Sequence, residues 1–262
     1  MAVILYLCSP YEGMRRKIAN IVKNTTLKEV FNNTYKKEKS KEFKQLLREH
    51  KVGYGQKMEV NNGFSATYDN IKFQYADVLF YHNTKYSDEY STEIERTFHG
   101  QIYVFDTKYI INGDLYLGKK IKKLFRVKSN MDPFINTKKN IDIEPSNIVL
   151  DKNISIKSNA HPSIIEDSTF LEIIKDFILN KKCIFIYHEN KLFVLKNSKK
   201  DSFKITINKK EDELKAKEHI INDINIIKSD LDSIIKYKDK LNIREDRHMK
   251  TINEEEIISE NN

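Results

Sequence analysis

No stretch of this chain approaches the ~18 consecutive apolar residues that a membrane-crossing helix needs. The apolar start Ala2–Leu7 has no basic residues before it of the kind a signal peptide carries. Cysteine is nearly absent. Cys8 and Cys183 both sit in apolar runs and lack metal-type spacing, which argues against a disulfide scaffold or a zinc knuckle. The expectation is a soluble, intracellular protein with no membrane span, in a reducing compartment. Arginine is also scarce, seven residues against 39 lysines, so few side chains can make bidentate phosphate contacts. The chain contains no phosphate-binding G-x-x-x-x-G-K-S/T loop, dinucleotide G-x-G-x-x-G turn, G-x-S-x-G nucleophile elbow or H-E-x-x-H metal helix. Its seven histidines are scattered and form no ligand cluster in sequence.

Charge of one sign is concentrated. The net charge of the 262-residue chain is +8, and residues 14–51 alone hold twelve Lys/Arg against four acids, so the remainder is balanced. Such clustering fits a polyanion partner, and region 14–51 is the candidate nucleic-acid contact. A chain rich in Lys, Asn and Ile throughout would also show such a patch as a solvated surface.

An apolar content of 39%, with 14 Phe and 14 Tyr, is enough for a sizeable core. Ala2–Leu7 reads as a buried strand ended by Ser9-Pro10. Residues 12–23 and 27–51 read as helices. From Gly53 the period shifts towards two, with candidate strands at 54–60, 64–68, 71–81 and 101–111. Turns are expected at Asn61-Asn62-Gly63 and Asp69-Asn70, with a long loop from His82 to Gly100. Asn112-Gly113 predicts a hairpin that returns 114–118 antiparallel. Beyond a polar stretch at 129–163, with a short element at 147–157, Phe170, Leu171, Ile174, Phe177 and Ile178 mark an amphipathic helix. Cys183–Tyr187 and Leu192–Leu195 then form a hairpin around Glu189-Asn190. In the tail, Ile220, Ile224, Ile227, Leu231, Ile234, Lys238 and Leu241 recur at spacings of four and three. That pattern makes either a short coiled coil or a helix that packs back on the body. Residues 243–262 are polar and acidic and read as disorder.

The fold class is therefore α+β, with an N-terminal strand and helices, a central antiparallel sheet, a small αβ segment and a helical C-terminal tail. The corresponding divisions are a body at 1–130, a second αβ segment at 131–207, the tail at 208–242 and the acidic end at 243–262.

One run carries chemistry. Gln101–Tyr109 is an apolar strand that delivers Asp106 and then Lys108 two residues later, on one face of a sheet. Tyr75–Tyr81 is a second apolar strand bearing Asp77. Two such carboxylates can hold a hard divalent cation whose bound water becomes a nucleophile, and the lysine can orient it. Asp77…Asp106-Thr107-Lys108 resembles the PD-(D/E)XK nuclease family. That resemblance covers residues 54–109, with Ala76 standing where the family usually has proline. It implies Asp77 and Asp106 as ligands of Mg²⁺ or Mn²⁺, Lys108 as the catalytic lysine, and DNA or RNA as substrate. A second pair, His82-Asn83-Thr84 and His161-Pro162-Ser163, resembles the two H-x-S/T motifs of 2H phosphoesterases, which use one histidine as base and one as acid. The competing class is a non-enzymatic nucleic-acid-binding or assembly protein that meets a partner through tail 208–242.

Overall fold

The computed structural model describes residues 17, 19–32, 34–85, 92–123, 126–135, 139–203 and 212–246. Ala2–Leu7, Cys8, and all of the acidic end after residue 246 lie outside them. The architecture is α+β. Helix α1 covers 19–30, followed by β1 (Lys36–Lys37), α2 (Ser40–Glu49), β2 (Lys57–Tyr68), β3 (Ile71–Lys85), β4 (Thr92–Asp106), β5 (Leu115–Lys123) and β6 (Arg126–Ser129). After these come β7 (Ile141–Asp142), β8 (Ile154–Ser158), α3 (Ser168–Leu179), β9 (Cys183–His188), β10 (Lys191–Lys196) and α4 (Asp212–Ile235). The sheet order is β1-β2-β3-β4-β10-β9-β5-β8-β7, with β6 paired to β5. Every pairing is antiparallel.

Alternation along the strands gives the sheet two apolar faces, each covered. Phe73, Tyr75, Tyr103, Phe105, Phe185 and Tyr187 face α1, α3 and α4. Ala76, Val78, Ile102, Val104, Ile184 and Ile186 face α2 and the turn around Phe134. The Asn61-Asn62-Gly63 signal is a bulge inside β2 and not a turn between two strands: the register slips between Asn61 and Phe64, and Asn62 has φ 53°. Inserting a residue reverses which face is addressed. Met58 and Val60 therefore point to the α2 side, whereas Phe64 and Ala66 point to the α1 side. Asp69-Asn70 is the expected tight turn, with both residues at positive φ.

Three other expectations are corrected. The helix expected over 27–51 is broken, because Asn32 adopts φ 45°, a conformation that asparagine tolerates at a helix end, and the chain then runs extended through β1. The long loop expected between His82 and Gly100 is mostly strand, since β3 and β4 pair out to Lys85 and Thr92. The Asn112-Gly113 turn does not join β4 to a returning neighbour. Strand β4 stops at Asp106, and β5 pairs with β8 and β9 instead. The β9–β10 hairpin fills the gap, with β10 on β4 and β9 on β5. Strands of the 131–207 stretch thus lie in the middle of the same sheet.

Helix α3 is capped by Asp167, whose Oδ1 accepts from Thr169 N at 2.8 Å and Phe170 N at 3.2 Å. The tail stripe is buried in the protein's own core. Ile220, Ile224, Ile227, Leu231, Ile234 and Leu241 are all inaccessible to solvent or nearly so. Lys238, the polar member of the stripe, pairs with Glu245 at 2.5 Å. The chain continues past α4 to Ile243, which is buried and bridges to Thr107, so order extends a few residues beyond the expected end of the tail.

Candidate metal centre

The register separates the two acids that the sequence singles out. Asp77 on β3 lies opposite Gln101, five residues before Asp106 on β4. At about 3.3 Å per residue that is roughly 16 Å along the strand, and an odd offset puts the side chains on opposite faces. Asp77 is fully buried on the α1 side and accepts from Asn62 Nδ2 at 2.7 Å, Tyr75 OH at 2.9 Å and Ser202 N at 2.9 Å. Desolvation pushes its carboxyl up to about 7, with the three donors opposing that rise. Asp106 is paired instead with Lys191 at 2.5 Å and Arg244 at 3.3 Å. Lys108 lies beyond the end of β4 and pairs with Asp239. No single ion could be shared by Asp77 and Asp106. The two histidines of the rival motif are likewise engaged separately, His82 by Glu95 at 3.0 Å and His161 by Glu166 at 2.7 Å.

A different set of side chains does converge, at the end of the sheet where α2 terminates. Helix α2 stops at Glu49, and the chain reverses through His50, Lys51 at φ 57° and Gly53 at φ 76°. Gly53 is required there because a Cβ would sit 2.3 Å from the Phe80 ring. The turn lays the buried His50 ring against Phe193 and edge-on to His188, with both ring centroids 5.4 Å away. His188 is the last residue of β9, and Glu189, at φ 55°, opens the two-residue turn into β10. Leu115 pairs with Tyr187, which sets Asp114 beside His188.

The distances define the chemistry. His50 Nδ1 is 3.3 Å from His188 Nδ1 and 3.9 Å from Glu189 Oε2, and the three donor atoms lie within 4.8 Å of one another. His188 Nε2 is 3.2 Å from Asp114 Oδ1, and Asp114 is held in turn by Lys51 at 3.6 Å. The Asp114 contact keeps the His188 proton on Nε2 and leaves Nδ1 as a lone-pair donor facing His50. Burial holds both imidazoles below the ordinary histidine range. For His50 the neighbouring His188 adds to the effect, and for His188 the charge of Asp114 opposes it. Both rings are therefore neutral near pH 7, the form that binds metal.

Two nitrogens each about 2.0–2.1 Å from a tetrahedral zinc ion stand roughly 3.3 Å apart, the separation between these Nδ1 atoms. An imidazole whose second nitrogen is fixed by a carboxylate is the usual outer support of a metal-bound histidine. Sequence reasoning missed this group because its members come from three distant segments. The one local signal was a His-Glu pair placed at a hairpin turn.

No family model and no curated protein matches this chain. Among solved structures it is similar to the crystal structure of the mycobacterial trehalose monomycolate transport factor A, TtfA, at 11% identity over 80% of this chain and 95% of that one, with a TM-score of 0.35.

Proposed function

We propose that this protein binds a zinc-class transition-metal ion through His50, His188 and Glu189, with Asp114 orienting His188. The observation that carries the reading is the convergence of two neutral, buried imidazole nitrogens and a carboxylate, with a carboxylate behind one ring. Two nitrogens and one oxygen suit Zn²⁺, Co²⁺ or Ni²⁺ better than Mg²⁺, which prefers all-oxygen octahedra. Three protein ligands leave a fourth tetrahedral position for water or a substrate atom, the arrangement of reactive centres as opposed to purely structural ones. Glu189 is largely exposed, so that position opens towards solvent. An ion held by His50, His188 and Glu189 would acidify a water at that position and so would supply the means for metal-assisted hydrolysis.

The experiment is titration of chelator-treated full-length protein with Co²⁺ and Zn²⁺. One equivalent of Co²⁺ is expected to give the intense visible absorption of a tetrahedral site, and Zn²⁺ to displace it. His188→Ala is expected to abolish the spectrum. An unchanged spectrum in that variant, or no binding in the parent protein, overturns the reading.

A further inference from the structure

On the α1 side of the sheet, away from the metal centre, a cavity of about 360 Å³ opens between α1, the β2 bulge and the turn at Asp201–Phe203. Its wall is polar. Lys23 of α1 is half-buried there, with Nζ donating to Asn62 Oδ1 at 2.9 Å and lying 5.8 Å from the centre of the Phe203 ring. Lys37 of β1 stands at the exposed mouth. The two acids that also line the space differ in availability. Asp201 is already engaged by His99 at 2.8 Å and Asn61 at 3.3 Å, whereas Glu38 makes no ion pair among the described residues.

An ammonium taken partly out of water is costly unless it is paired. Among the described residues Lys23 meets no carboxylate, and one of its three donors is spent on an amide oxygen. Burial first and the charge of Lys37 second lower its affinity for the proton, opposed only by the more distant charge of Asp77, so an anion between the two lysines would relieve both effects. Asn62 is fixed from behind, because its Nδ2 also donates to Asp77 Oδ2 and to Ser202 O at 2.7 Å each. That arrangement aims Asn62 Oδ1 at the ammonium and holds Lys23 towards the cavity. We propose that this cavity is a binding site for the carboxylate or phosphate group of a small anionic molecule, held by Lys23 with Lys37 at the entrance.

The test uses full-length protein kept in chelator, so that no metal at His50 and His188 can bind the probe. Inorganic phosphate and acetate are titrated separately by calorimetry, and amide shifts are followed by NMR. Saturable binding of at least one probe is expected, with shifts centred on Asn62, Ser202 and residues of α1. Lys23→Met keeps the helix-forming stem and removes the charge. It should weaken binding at least tenfold without changing the melting temperature by more than a few degrees. Lys37→Gln should weaken it several-fold. The phosphate-to-acetate preference tells which anion the cavity serves. No saturation by either probe, or equal affinity in Lys23→Met, overturns the proposal. His188→Ala should bind the probe as the parent does, so failure of the metal reading leaves this one standing.

Discussion

Asp77 sets a carboxyl group out of reach of bulk solvent and beside three donors. Its folded-state value of about 7 lies above the ordinary 3.8. Below about pH 4 both states are protonated. Between 4 and 7 the folded chain retains a proton that the unfolded chain has released, so stability falls as pH rises through that window and levels off above it. Three pKa units at about 1.36 kcal/mol each amount to roughly 4 kcal/mol. Asp77→Asn keeps an acceptor for Asn62 and Ser202 N, offers its amide to the Tyr75 hydroxyl, and cannot ionise. Urea midpoints measured from pH 4 to 8 should therefore vary less in this variant than in the parent, which should lose stability relative to it between about pH 4 and 7. Asp77→Ala leaves the donors unpaired and should cost at least about 2 kcal/mol at every pH. At the metal centre, Asp114→Asn should weaken Zn²⁺ binding 10–100-fold while leaving the Co²⁺ absorption in place, because it loosens His188 without removing a ligand. Metal affinity should also decline in acid only below the ordinary histidine range, since burial lowers the value of both rings.

At the scale of elements, α4 is the clearest case of an appended sequence that completes a core. Ile224 is 1% exposed beneath it, so Ile224→Ala should cost about 2–5 kcal/mol and lower the thermal midpoint accordingly. Truncation after Asn208 should abolish cooperative unfolding altogether. A truncated protein that melts like the parent would mean the helix is dispensable. The same helix shows what the sequence could reveal. A spacing of four and three identified one apolar stripe but not what would cover it, because that is settled by a sheet face assembled from strands far away in sequence. The Asp69-Asn70 and Glu189-Asn190 turns and α3 were legible because each rests on a few neighbouring residues. The neighbours of β4 and β5 were not. Asn112-Gly113 looked like a hairpin turn, yet Gly113 serves a close approach in which a Cβ would meet Asn159 Oδ1 at 2.5 Å. The Asp77 and Asp106 pairing failed for a related reason. Strand alternation orders side chains only within one strand, and the register between strands decides whether two acids on neighbouring strands meet.

Across the whole molecule, stability depends on pairings between distant parts of the chain. Among the described residues both ends of the nine-strand path, β1 and β7, are only two residues long, so each terminal strand itself offers another chain few free backbone groups. The middle depends on Gly100, where a Cβ would lie 2.0 Å from the Lys196 carbonyl oxygen. Gly100→Ala should therefore push β10 off β4 and cost more than Ile224→Ala in the same melting assay. Contacts of such wide sequence separation place refolding in the slow range of milliseconds to seconds, measurable by stopped-flow dilution from urea.

The strand order also bears on biosynthesis. A ribosome delivers β4 and β5 well before β9 and β10, so a nascent chain that has just released residue 123 carries two long open edges, one of them the apolar run Gln101–Asp106. Those edges stay open until Cys183–Lys196 has cleared the exit tunnel. The clasp at the end of β4, where Lys108 N donates to Asn242 O at 2.8 Å and Arg244 N to Asp106 O at 2.9 Å, forms only once residues 242–244 have been made. Chains stalled between residues 123 and 183 should therefore be the ones that recruit holdase chaperones.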